Sequence, residues 1–171
     1  MIKNYLVYPI QLIILILVQV ILLNNIQFSG FINPFLYIIF ILWLPISTPK
    51  WLLLSLSFFV GICVDVFSNT LGMHASACLF LAFCRPYILN ILAPRDGYEA
   101  NQQPGYQDFG FIWFISYAAI LTLLHHTFLF FVEVFRFSDF FSTLGRILAS
   151  TFFTLLLIGI TQLFKYNSEA R

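Results

Sequence analysis

The sequence predicts an all-α integral membrane protein, a compact bundle of six transmembrane helices, and three observations carry that class. Hydrophobic residues make up 61% of the 171-residue chain and charged residues 9%, where soluble domains carry about 25% charged residues. Mean hydropathy is +0.94, which makes the bilayer the natural solvent for such a surface. The apolar residues also gather into six runs of the roughly 17–25 residues that a spanning helix needs, at about 5–23, 31–47, 51–67, 71–92, 109–134 and 140–164. The length suits one transmembrane domain over residues 1–171.

The elements follow in order. The first run begins after Lys3 and covers 19 residues, Tyr5 to Leu23. It is longer than a signal-peptide core and ends without a small-residue cleavage pattern, so it reads as a retained helix. The second is short and bracketed by Pro34, Pro45 and Pro49, which makes its ends the least secure. Arg85-Pro86 interrupts the fourth, which permits an earlier end there. Between the fourth and fifth lies "APRDGYEANQQPGYQD", residues 93–108, a polar loop.

Basic residues concentrate on the cytoplasmic side of membrane proteins. With the N-terminus inside, Lys3, Lys50, Arg85, Arg95, Lys165 and Arg171 fall inside and only Arg136 and Arg146 outside. Trp43, Trp51 and Trp113 all lie beside the predicted inner loops, where indoles favour the interface. Both termini are therefore expected in the cytoplasm. Net charge of +1 gives no argument for nucleic acid. Cys63, Cys78 and Cys84 sit inside apolar runs without a C-x-x-C pair and read as small buried hydrophobes.

Membrane helices associate through small residues and polar contacts. Ser57, Gly61 and Asp65 are spaced by four and share one helix face. Ala75, Cys78 and Ala82 form a similar stripe on the fourth helix, as do Ser142, Gly145 and Ala149 on the sixth. Gln11 and Gln19 align on the first as a seam that should face protein.

Charged groups in a membrane usually face the bundle interior, where they find partners. Asp65 ends the third helix, and a turn near Asn69 brings it level with the start of the fourth. Three partners are in reach: the His74 imidazole, the free N–H groups opening the fourth helix, and its positive dipole end. Gly72 is expected to give room for close backbone approach. His125 and His126, adjacent on the fifth helix, point about 100° apart and make a poor metal pair. His126 and Glu133 share a face, and Arg146 on the sixth helix stands opposite, so the three are expected to form a buried polar network. The sequence has no G-x-S-x-G, H-E-x-x-H or phosphate-cradling motif, and no catalytic residue, metal site or cofactor is predicted.

Gly61 followed four residues later by Asp65, a short polar turn, and Leu71-Gly72 opening the next helix with His74 nearby resembles the signature of the rod shape-determining MreD family. Thr70 stands where many members have proline before the Leu-Gly. The resemblance implies a non-enzymatic component of the bacterial cell-elongation machinery in the inner membrane. Its implied partners are a single-span MreC-like protein, the MreB filament, and the glycosyltransferase–transpeptidase pair that builds the peptidoglycan wall. It also implies a fold similar to the substrate-binding S-components of energy-coupling-factor transporters. An S-component that binds a vitamin or metal ion, with His74, His125 and His126 in its pocket, is the alternative function.

Overall fold

The structure, a computed structural model, describes residues 2–25, 31–99, 102–135 and 139–169. Helix α1 (Ile2–Leu17) continues into a π-turn (Val18–Leu22) and a 3-10 turn (Leu23–Asn25). A 3-10 turn (Leu36–Ile38) leads into the short α2 (Ile39–Trp43). Then come α3 (Lys50–Ser68), α4 (Met73–Ile91), the single turn α5 (Tyr106–Phe109), α6 (Phe111–Val134) and α7 (Phe140–Glu169). There is no β-strand among the described residues. Arg136 and Arg171, which entered the charge asymmetry, lie outside them.

Among the described residues, four helices are long and apolar enough to cross a membrane: Tyr8–Asn25, Lys50–Ser68, Phe111–Val134 and Phe140–Phe164. The runs expected at 31–47 and 71–92 are not among them. Helix α4 has the length, at 19 residues, but His74, Arg85, Pro86 and Asn90 dilute its apolarity. It nonetheless runs unbroken through Pro86.

The 31–47 run is broken for reasons written in its prolines. Pro34 offers no N–H and disfavours helix at the residue before it, so helical turns begin only at Leu36. Pro45 pushes Leu44 out of the helical region, to φ −57° and ψ 141°, and α2 stops after five residues. The run still forms the centre of the molecule, since every residue from Phe35 to Leu42 is buried.

Irregular backbone at membrane depth survives only where protein satisfies its polar groups. Here the partners are side chains. Asn33 N–H donates to Ser150 Oγ at 3.1 Å, Phe35 N–H to Thr154 Oγ1 at 3.0 Å and Leu36 N–H to Gln19 Oε1 at 2.8 Å. Gln19 Nε2 returns a bond to Pro34 O at 3.1 Å. A π-turn carries one extra residue, and this one begins beside Gln19 and accompanies its inward placement. The seam expected on the first helix is thus centred on Gln19, while Gln11 is half-buried.

Around this broken segment α3 packs on α4, α4 on α6 and α6 on α7. The stripes Ser57–Gly61–Asp65 and Ala75–Cys78–Ala82 are buried, as their spacing predicts. The stripe on the last helix is not: Ser142 and Gly145 are exposed and Ala149 half-buried. Helix α7 turns Thr143, Ile147, Ser150, Thr154 and Ile158 inward instead, because its partner is the hydrogen-bonding broken segment.

The 93–108 loop is exposed over 93–97 and again at Glu99, Gln107 and Asp108, with Pro104 and Gly105 buried between them. Tyr98 folds back to donate to Leu89 O at 2.7 Å, and burial raises its phenol above the ordinary range. Ile46 N–H donates to Gln102 O at 3.0 Å, and Gln103 Nε2 to Tyr8 Oη at 2.8 Å. The loop therefore closes the end of the bundle where α1 begins.

Candidate functional site

Residues 61–74 build a helix hairpin. Helix α3 ends at Asn69 in the left-handed conformation, φ 54°, which asparagine tolerates better than most residues. Its N–H and that of Thr70 both return to Asp65 O. Gly72 takes φ 78°, a conformation glycine adopts without strain. The chain then enters α4 directly above the Asp65 side chain.

That carboxylate takes the place of a cap. Asp65 Oδ1 accepts from His74 N–H at 3.0 Å and Oδ2 from Ala75 N–H at 2.9 Å, and Thr70 Oγ1 donates to Oδ1 at 2.5 Å. Asp65 is only 6% exposed. A negative charge here also opposes the positive end of the α4 dipole. Of the three partners in reach, the backbone groups are used, and the His74 imidazole turns away to Tyr37. Gly72 is not the point of close approach, because a Cβ there would meet nothing within 4 Å. Gly61 is: a Cβ on it would lie 2.6 Å from Ala75 N and 2.7 Å from His74 O. Leu71 stands at the tip of the hairpin, fully exposed.

Behind the hairpin lies a polar core. Tyr37 Oη is 2.8 Å from His74 Nδ1 and 3.0 Å from His125 Nε2. His126 belongs to a separate chain of bonds whose direction is fixed by its ends. Its Nδ1 lies 2.8 Å from Thr122 O, a pure acceptor, so Nδ1 carries the proton. Nε2 then accepts from Thr154 Oγ1 at 3.2 Å, and Thr154 accepts from Phe35 N–H. Both chains converge on Phe35, whose ring lies 5.1 Å from His74 and 5.4 Å from His126.

The trio of His126, Glu133 and Arg146 is only partly assembled. Arg146 Nη1 pairs with Glu133 Oε1 at 3.0 Å, and its guanidinium lies 4.2 Å over the Phe130 ring. With the Asn33 amide oriented by its neighbours, its oxygen accepts from Arg146 Nη2 at 2.7 Å. His126 is not joined to the pair. Phe130 stands between them, 5.6 Å from His126, and Glu133 is an exposed residue. A cavity of about 330 Å³ opens here, lined by Asn33, Phe35, Thr70, His74, Glu133 and Arg146 among others.

No family model, curated protein or solved structure matches the chain. What the site can do is therefore argued from its own chemistry. No group of three or more metal-ligating side chains occurs among the described residues. The geometry supplies a rigid hairpin and a polar-lined cavity.

Arg85, counted among the basic residues of the inner side, lies inside the bundle. It is 1% exposed, donating from Nε to Tyr117 Oη at 2.7 Å and from Nη2 to Leu44 O. It thus binds a carbonyl freed where Pro45 ends α2, at the negative end of that short helix. A lone basic residue inside a long apolar run was the available signal.

Proposed function

We propose that this chain is a non-enzymatic scaffold of the MreD kind in the bacterial inner membrane. One observation carries the reading: the five residues of the resemblance form one locked hairpin with an exposed apex. Gly61 allows the two helices to touch, Asp65 ties the second to the first, Gly72 makes the turn, and His74 anchors to Tyr37. Leu71 alone is left pointing outward. Such a device fixes shape without exposing chemistry, as a docking component requires. On this reading the protein binds an MreC-like single-span partner and links the MreB filament to the wall-synthesising pair.

The same reading takes the buried 31–47 segment and α4 as additional crossings, giving six in an arrangement similar to that of S-components. Successive contacts support it. Asn33 and Phe35 bond to Ser150 and Thr154, whereas Trp43 bonds to Gln162 at the other end of α7. Both termini then face the cytoplasm. Cysteines introduced at Asp96 and Asp139 test this. An impermeant thiol reagent should label Asp139→Cys in cells with a permeabilised outer membrane and leave Asp96→Cys unlabelled. The reverse pattern overturns the orientation.

Function is tested by capture. The tagged protein should copurify with an MreC-like partner, and its depletion should turn elongated cells round. The transport alternative draws on the polar cavity beside His74, and it predicts something different. ATP-dependent vitamin uptake when the protein is expressed with a coupling module, without such a partner, would replace the scaffold reading.

A further inference from the structure

The cavity between the α3–α4 turn and the α6–α7 end holds groups that the hairpin does not use. His74 is 6% exposed, it lines the cavity, and its Nε2 has no hydrogen bond to any described residue. Whether that nitrogen donates or accepts follows from the bonds behind it. Tyr37 has one proton and two imidazoles to serve. The Cys78 thiol, also within reach of Tyr37, is too weak an acceptor to compete.

If the Tyr37 proton went to His125 Nε2, His125 would carry its own proton on Nδ1. That atom is buried without a partner, and orphaned buried N–H groups are rarer than under-used acceptors. The proton therefore goes to His74 Nδ1. His125 donates from Nε2 to the Tyr37 oxygen, and His125 Nδ1 keeps only a lone pair. His74 is then protonated on Nε2, which presents an N–H donor to the cavity.

The opposite wall carries Glu133 and Arg146, the charged residues of the lining among the described residues. Their charges cancel, so a singly charged solute entering from water would find no net counter-charge to offset its desolvation. A dipolar solute meets a different field: an acceptor end suits the His74 N–H, and a cationic end suits the outer, 38% exposed Glu133 carboxylate. Phe35 supplies an apolar floor. We propose that this cavity binds a small zwitterion of the amino-acid class, carboxylate toward His74 and ammonium toward Glu133. The volume, about 330 Å³, accommodates a small or medium amino acid.

The inference stands independently of the scaffold reading, and the experiment does not involve partner capture. Full-length protein in detergent is titrated calorimetrically with glycine, alanine and glutamine, with acetate, ethylammonium and sorbitol as controls. At least one amino acid should bind saturably, one per chain, and the controls should not compete. Glu133→Gln, at an exposed position, should fold and weaken binding at least about tenfold, which corresponds to about 1.4 kcal/mol. In ¹⁵N spectra of imidazole-labelled protein, the His74 Nε2–H signal should shift on titration, whereas His126 should not. Absence of amino-acid binding, equal binding of sorbitol or acetate, or unchanged affinity in Glu133→Gln each overturns the assignment.

Discussion

Asp65→Ala is expected to cost the protein much of its stability, and Asp65→Asn to cost less. The carboxylate takes three hydrogen bonds, from Thr70 Oγ1, His74 N–H and Ala75 N–H, and the last two donors belong to buried residues. Alanine removes the acceptor from both N–H groups, which belong to buried residues of a helix end. Each such group costs about 1–3 kcal/mol, so the pair removes about 2–6 kcal/mol from a margin that is typically about 5–15 kcal/mol. Asparagine keeps one acceptor and loses the charge that opposes the α4 dipole. Thermal-shift measurements on the three purified proteins should therefore rank wild type above Asn and Asn above Ala. A functional aspartate that moved protons would give another pattern, with matching melting temperatures for all three. That result would refute the clamp.

The hairpin was legible because all its parts are local. Asp65, Thr70, His74 and Ala75 lie within 10 residues of one another, and helical spacing plus one turn places them. The broken segment was not, because its partners are distant in sequence: Gln19 is 15 to 17 residues away and Thr154 is 119. A run of apolar residues between prolines reads equally as a helix or as a buried irregular strand of chain, and only those side-chain acceptors decide. Periodicity also gives direction without depth. It put His126 and Glu133 on one face, yet Phe130 separates a wholly buried imidazole from an exposed carboxylate. The partner of Arg85 was hidden for a related reason: charge counting assigns a basic residue to a membrane side and says nothing of its bond to Tyr117, 32 residues on. The stripe on α7 was misread because small residues were favoured over hydroxyls, when the neighbouring backbone needed acceptors.

Gly61→Ala should damage the fold more than any other single methyl added in the hairpin. The new Cβ would lie 2.6 Å from Ala75 N and 2.7 Å from His74 O, closer than nonbonded atoms approach, and both neighbours are backbone. A side chain at such a point rotates away; a helix backbone moves only as a unit. Helix α4 must therefore shift from α3, and the N–H groups that shift are the ones Asp65 holds, so the overpacking cost of about 1–3 kcal/mol adds to part of the capping loss. Gly72→Ala is the matched control. A Cβ at Gly72 meets open space, and its cost is the left-handed backbone alone, about 1–2 kcal/mol, with Gly72→Asn milder because asparagine visits that region. Folded yield and melting temperature in detergent should fall in the order wild type, Gly72→Asn, Gly72→Ala, Gly61→Ala. Gly61→Val, with two further methyls against the same backbone, should give no folded protein. Wild-type melting in Gly61→Ala would mean that α3 and α4 do not touch at this residue, and the locked hairpin would have to be given up.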